Sequence, residues 1–485
     1  MATLPELDIL LVNPAVADYP YPHLPLGLAE LKAWLDQREF RTAVLDTWAE
    51  GLSDLQIRDF IEVRPSSALG ITVTSFTLDH AKRIAAIAKS VAPAMRVIAG
   101  GPHPSYDPAN FLTYNPDFDV VVVGEGEATL AALLSAGTDA SKLSQIDGLA
   151  FRGPDGRLSV NPPRQTRMDL DALPLPAFGA FPVQRYLPHA PYGRRKPYFN
   201  LISSRGCPFT CVFCSNSVFG QRVRLKSAAR VYQEVEWVRT SFGAREVHFY
   251  DDVFTINAGR VMEFCNLMIA NRNPVIWSCT TRVDLVTQEM LHLMRKAGCW
   301  LVTFGVESGS DAVLRLVDKK YTKDQVRAAF TMARRAGLRI HSFFMVGLPG
   351  DTAETIEETI AFAKEIKPHS SHWSVLYALP GSRVFEVYRR PDREHRAIPY
   401  DRGLSSEVLA EFRKKAIREI FFSPGYMVRV LVSIRSVYEL RNAASSAWRL
   451  LRGCGAAEAV ESSGSGQRER LLVVPAGLSP RRRSL

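Results

Sequence analysis

The sequence predicts an α/β protein: a doubly wound parallel sheet, then a partial (β/α)6 barrel, then a helical C-terminal region. Three observations carry this. Short apolar runs alternate with segments of helical spacing through most of the chain. Four of the first five runs close on glycine, proline or hydroxyl residues. Six further strand–helix units follow a Pro-rich stretch, two short of the eight that close a full barrel. At 485 residues and 46% hydrophobic, the chain can build two domains with separate cores.

The first series contains apolar strands at 7–14, 41–48, 68–76, 95–105 and 118–130, with helical spacing at 26–37 and 81–91. A hairpin is expected over 149–160, turning at the Gly-Pro-Asp-Gly of 153–156, followed by the link DLDALPLPAFGAFP at 169–182. The barrel strands are YFNLISSR, REVHFYDD, VIWSCTTR, WLVTFGVES, LRIHSFFMVG and SHWSVLYAL; helices over 322–336 and 353–365 are examples of what fills the gaps. The expected divisions are 1–165, a linker over 166–197, 198–390, a helical region over 391–452, and a basic, disordered tail over 453–485. Interleaved apolar and basic residues in YMVRVLVSIRSVYELR read as a helix packed on the barrel, in preference to a membrane-surface helix.

The net charge of +10 owes much to late arginines, among them Arg481, Arg482 and Arg483, and says little about the body of the protein. No apolar run reaches the roughly 18 residues of a membrane span. The first apolar run follows Glu6 and Asp8, and so reads as a strand and not a signal peptide. Seven cysteines, four of them scattered, give no disulfide framework; a reducing cytosol is the natural setting.

The densest chemistry lies in RGCPFTCVFC at 205–214. Cys207, Cys211 and Cys214, spaced C-x3-C-x2-C after the first barrel strand, can hold three irons of a [4Fe–4S] cube and leave the fourth open. Zinc is the alternative, but no fourth Cys or His lies at the usual short spacing. In open parallel sheets ligands bind beyond the carboxyl ends of the strands. In the first domain those ends hold Asn13, Thr74, Ser75, Gly100, Gly101, His103, Gly124, Glu125 and Gly126. A lone glycine there makes a turn; four such ends on one sheet edge suit a large flat ligand. GxGxxG and GxxxxGK[ST] patterns are absent from them.

With its three cysteines, the chain resembles the radical S-adenosylmethionine superfamily, and YDDVFT, TTRVDL, FGVESGS, MVGLPGDT and YALPGS follow in the family's order. YPHLPLGLAELKAWL, GGPHPS and GEGE in the first domain resemble the Rossmann-like domain of its cobalamin-dependent members. The resemblance covers roughly residues 5–385. It implies a [4Fe–4S] cluster, S-adenosylmethionine and cobalamin. Phe213 would sit beside adenine, Asp251 or Asp252 near the cofactor's amino group, Arg282 near its carboxylate, and Glu307 near its ribose or amino acid part. The strand ends after Phe344 and Tyr377 would border adenine. Each of these also fits a salt bridge or a turn. The D-x-H-x-x-G pattern that ligates cobalt is missing, since neither His23 nor His80 has that context, so base-off cobalamin is expected. His103 suits either a corrin contact or a stabilised turn.

The resemblance further implies methyl transfer from methylcobalamin to an unactivated carbon of a small metabolite or lipid-like intermediate. Cyclisation or rearrangement without methyl transfer is the alternative, and an iron–sulfur sensor or RNA-binding protein a third reading. An electron donor such as flavodoxin or ferredoxin is implied; nucleic acid is not expected. Tyr377, His341, His369, His372 and Trp373 lie near late barrel strands, where pocket lining competes with core packing for Trp373 and solvation for the loop histidines.

Overall fold

In the computed structural model, residues 6–434, 439–441 and 444 are described, apart from 18–20, 138, 154, 166, 187–192 and 401–402. The expected tail over 453–485 lies outside them.

The first sheet contains β1 (Ile9–Asn13), β2 (Thr42–Asp46), β3 (Ala68–Thr72), β4 (Arg96–Gly100), β5 (Val120–Val122), β6 (Leu149–Arg152) and β7 (Leu158–Val160), in the order β2-β1-β3-β4-β5-β6-β7. The first five are parallel; the expected hairpin adds β6 and β7 antiparallel at one edge. Parallel strands are covered on both faces, which is why their runs are continuously apolar. Along β1, Leu10 and Val12 pack with Ile57, Ile84 and Ala85, while Ile9 and Leu11 face the opposite core with Leu28, Ala29 and Leu130. All five parallel strands are shorter than their apolar runs, two of them by more than half. The run over 95–105 ends at Gly100, because Gly101 adopts φ +102° and Pro102 opens the helix Pro102–Tyr106. The run over 118–130 ends at Val122, and Gly126 begins the helix Gly126–Ala136.

Residues 167–186 are a packed strap, not a free tether. Phe178 is fully buried, stacked on Trp237 at 5.3 Å and against Phe199 at 5.6 Å. The Tyr186 hydroxyl donates to Asp46 Oδ2 at 2.6 Å. The strap fuses the core on one face of the first sheet with that of the barrel.

The second sheet has β8 (Tyr198–Leu201), then a short antiparallel pair β9 (Ser204–Arg205) and β10 (Arg224–Leu225), then β11 (Glu246–Phe249), β12 (Ile276–Thr281), β13 (Cys299–Glu307), β14 (Arg339–Val346) and β15 (Ser370–Val375). Its order is β15-β14-β13-β12-β11-β8, parallel throughout: six strands in chain sequence, a half-barrel with β8 and β15 as edges. Thr322 and Thr352 cap the helices Lys323–Arg335 and Ala353–Ile366, each in a reciprocal capping box. A last pair, β16 (Tyr377–Ala378) and β17 (Ile398–Pro399), follows the sheet.

Helix Ser406–Phe421 packs on the barrel through Leu409, Ala416 and Ile420. In the stretch expected to form a helix packed on the barrel, part of which (435–438) lies outside the described residues, the helix Pro424–Ser433 leaves Met427, Val428, Leu431 and Val432 exposed. No helix among the described residues is long and apolar enough to cross a membrane.

Candidate active site

The cysteine loop runs between β9 and β10 and is tied down on several sides. Gly206 adopts φ +90°, and a Cβ there would strike the Arg222 carbonyl, so only glycine fits. The Cys207 N–H donates to Gly220 O at 3.2 Å and the Cys214 N–H to Cys211 O at 3.1 Å. The Val212 N–H donates to Val317 O, the Val384 N–H to Val212 O, and the Ser215 hydroxyl to Pro380 O. Cys207 and Cys211 are half-buried and Cys214 exposed. Burial, Asp252 and Cys211 push the Cys207 thiol up; burial, Asp252 and the other two cysteines push Cys214 up to about 12. Both are therefore neutral thiols until a cation favours the thiolate. A [4Fe–4S] cube holds its thiolates farther apart than a tetrahedral zinc ion does. The donor set fits a cluster with one open iron.

Around this loop the expected residues separate into two groups. Phe213 belongs to it, and Glu307 and Asp252 stand beside it. Glu307 ends β13 at a register shift with φ +64°, a strained conformation for a non-glycine residue. Lys319 Nζ donates to its Oε1 at 2.8 Å and lies 5.6 Å from the centre of the Phe213 ring. The Asp252 side chain is solvent-exposed, and its carboxyl is pushed up by the protein around it and by Asp251. Asp251 and Arg282 are committed elsewhere. The Asp251 carboxylate accepts from the Ser203 N–H and hydroxyl and from the Ser204 hydroxyl, bracing the chain after β8. Arg282 grips Asp284 with Nε and Nη2, donates to Lys319 O at 2.7 Å, and stacks 3.6 Å from the Phe209 ring centre.

On the first domain, a cavity opens at the carboxyl ends of β1, β3, β4 and β5, next to the point where strand order reverses. Gly100, Gly101, Gly124, Glu125 and Gly126 line it, with Leu11, Gly27, Leu31, Ile98 and Leu130. Asn13, Thr74, Ser75 and His103 are not among the lining residues. Asn13 donates to Asp46 Oδ1, Thr74 closes a turn with Thr77, and the Ser75 hydroxyl lies 3.0 Å from His103 Nδ1. His103 also packs edge-on to Phe111, the turn-stabilising role. His80 Nδ1 accepts the Ala15 N–H, and His23 lies between Trp48 and Tyr250. The glycine backbone and apolar walls form a slot that Cβ atoms would narrow, which fits a flat cofactor.

Of the late barrel residues, Trp373 is buried and stacked on Phe344 at 4.5 Å, a core role. The His341 Nδ1 lies 2.8 Å from the Ser370 hydroxyl, and His369 Nδ1 accepts the Ile340 N–H. Tyr377 meets Phe76 of the first domain edge-on at 6.1 Å.

Sequence reading missed Lys319, Gly27, and the pair Val218 and Phe219, which reach from the cysteine loop into the first domain's cavity. Lys319 sits in VDKK, which reads as a solvated charge run; Gly27 lies within a helical pattern and carries no turn signal.

Family models for the radical SAM superfamily and the B12 binding domain match residues 201–363 and 12–134. The uncharacterized methyltransferase PH0819 of Pyrococcus horikoshii is 32% identical over 363 residues, 75% of this chain and 78% of that protein. The anaerobic magnesium-protoporphyrin IX monomethyl ester cyclase of Rubrivivax gelatinosus is 30% identical over 75% of this chain and 66% of its own length. The solved structure of the cobalamin-dependent S-adenosylmethionine radical enzyme OxsB superposes with a TM-score of 0.70 at 19% identity, covering 91% of this chain and 70% of that one. The two mainly parallel sheets and the three-cysteine loop define a radical enzyme with two cofactor-binding halves. The chain belongs to the cobalamin-dependent radical S-adenosylmethionine enzymes.

Proposed function

We propose that this enzyme transfers a methyl group to an unactivated carbon of a small metabolite or lipid-like intermediate. One observation carries most weight: the strand-end cavity of the first domain is completed by Arg205, Val218 and Phe219, residues that flank the cysteines. The methyl-carrying and radical-forming halves therefore share one wall. Bound there, cobalamin would supply methyl transfer, and the cluster with S-adenosylmethionine would supply a carbon-centred radical.

Cys207, Cys211 and Cys214 would hold the cluster. Phe213, Asp252, Glu307 and Lys319 would orient S-adenosylmethionine, with Arg282 acting from behind by holding the Lys319 carbonyl and stacking under Phe209. The glycines from 100 to 126 and Gly27 would admit cobalamin. Tyr250, Phe76 and Tyr377 stand where the two strand-end faces meet and would help exclude water from the substrate. A reductant such as flavodoxin or ferredoxin would supply electrons.

The PH0819 relative's name favours methyl transfer; the Rubrivivax relative's name supports cyclisation as the second reading. Anaerobic reconstitution with iron, sulfide and cobalamin, then reduction and methyl-labelled S-adenosylmethionine, separates the two. Label on cobalamin supports the methyltransferase. Deoxyadenosine without labelled cobalamin supports cyclisation or rearrangement, and neither product overturns both.

A further inference from the structure

Two residues before the first cysteine, one guanidinium holds three carboxylates of the other domain. Arg205 is 3% exposed. Its Nη1 donates to Glu125 Oε2 at 2.7 Å, and its Nη2 to Glu30 Oε2 at 2.7 Å and Glu127 Oε1 at 2.5 Å. All three glutamates line the glycine-rich cavity. Glu30 lies on the helix Leu26–Asp36, and Glu125 and Glu127 are at the start of the helix Gly126–Ala136, so the clamp grips two cavity walls.

The remaining charges close the network. Lys226 Nζ lies 3.4 Å from Glu30 and 2.8 Å from Glu234; Arg224, paired with Arg205 across β9 and β10, also grips Glu125, as does Arg167 at 3.2 Å. Arg205, Glu30 and Glu127 are almost wholly buried, so breaking their contacts leaves an unpaired buried charge.

The link to the cysteines is mechanical. Arg205 is joined to Cys207 through Gly206, whose backbone is packed against the Arg222 carbonyl. Cys207 is pinned to Gly220, and Gly220 follows Phe219, whose ring lies 5.3 Å from the Arg205 guanidinium and faces the cavity. A ligand that sets the separation of the two helices thus sets the anchor points of Arg205, and through them the loop that carries the cysteines.

We infer that Arg205 is a positioning residue that couples occupation of the glycine-lined cavity to the cysteine loop, so that cobalamin and the cluster bind cooperatively. The inference rests on reading that cavity as the cobalamin site. Two rigid walls joined by one clamp give a reciprocal coupling between sites.

The test measures hydroxocobalamin dissociation constants by equilibrium dialysis on full-length protein, cluster-loaded and chelator-stripped. The readout is the ratio of the two constants. Loading should tighten wild-type binding about fivefold or more. In Arg205→Gln the ratio should fall to about one. Because linkage is reciprocal, the iron retained against a fixed chelator concentration should rise with added hydroxocobalamin in the wild type only. Should Arg205→Gln fail to fold, Glu127→Gln removes one arm of the clamp and should reduce the ratio.

A purely structural arginine would weaken both constants and leave their ratio unchanged, and that result overturns the inference. A wild-type ratio of one overturns it too. Gly27→Trp separates this failure from failure of the cavity assignment. If it abolishes hydroxocobalamin binding, the assignment stands and only the coupling falls. If it binds as the wild type does, cobalamin lies elsewhere and both fall.

Discussion

Lys319 Nζ donates to Glu307 Oε1 at 2.8 Å, and both side chains are about nine-tenths buried, beside Phe213 in the cysteine loop. The pair holds a carboxylate whose backbone sits at φ +64° at the end of a barrel strand. Strain of this kind persists only where the surroundings enforce it.

Lys319→Met leaves Glu307 buried without its cation, which costs on the order of 3–5 kcal/mol. The expected outcome is a lower unfolding midpoint together with weaker S-adenosylmethionine binding, read by equilibrium dialysis on cluster-loaded protein. Unchanged affinity would remove the pair from the cofactor site.

Replacing Cys207, Cys211 or Cys214 by Ala should abolish the [4Fe–4S] absorbance and electron paramagnetic signal. Cys265→Ala should keep both, because Cys265 is fully buried in the core on the helix Ala258–Ala270. A full cluster in any of the three loop variants would refute the ligand assignment.

Two glycines of the cavity should respond in opposite ways. A Cβ on Gly27 meets nothing within 4 Å and the residue is helical, so Gly27→Ala should stabilise the fold by roughly 0.5–1 kcal/mol. Gly27→Trp should weaken cobalamin binding at least tenfold without loss of fold. Gly101 has φ +102°, and a Cβ would lie 2.9 Å from the Val73 carbonyl, so even Gly101→Ala should destabilise the protein. Thermal unfolding and cobalamin titration of the same variants check both statements.

Buried histidines predict acid sensitivity above the carboxylate range. Burial depresses His23, His103 and His369 to about 4 and His248 to about 3. An unfolded histidine titrates near 6.5. Each group is neutral when folded, so its contribution is fully present above pH 6.5 and is lost as pH falls toward 4. The slope approaches about 1.4 kcal/mol per pH unit for each histidine. Urea unfolding of the cluster-free protein should show markedly lower stability at pH 5.5 than at 7.5; equal values would contradict the burial of these rings.

Much of this architecture was legible because its signals are local. Apolar runs that must be buried on both faces spell parallel strands, as in ILLVN of β1 and CWLVTFGVE of β13. The cysteine spacing is covalent, and three thiols within eight residues cannot be far apart. Strand ends were harder to place: Val123 continues the apolar run of β5, yet its N–H bonds Gly148 and the strand stops at Val122.

What the sequence by itself determined is the succession of two α/β units and three cysteines held close together, because hydrophobic period and covalent spacing do not depend on distant partners. Only the tertiary structure decided which polar groups are taken up by partners within the protein. Asp251 and Asp252 are neighbours, but a strand end points one at Ser203 and Ser204 and leaves the other near the cysteines. Glu125 reads as a strand-end acid and proves to be held by Arg205, Arg224 and Arg167. Asn13 and His103 were drawn into hydrogen bonds with Asp46 and Ser75, while Lys319, in an ordinary-looking charge run, became a buried partner of Glu307. A buried charge must find its counter-charge wherever the fold brings one, and that pairing is set across tens or hundreds of residues.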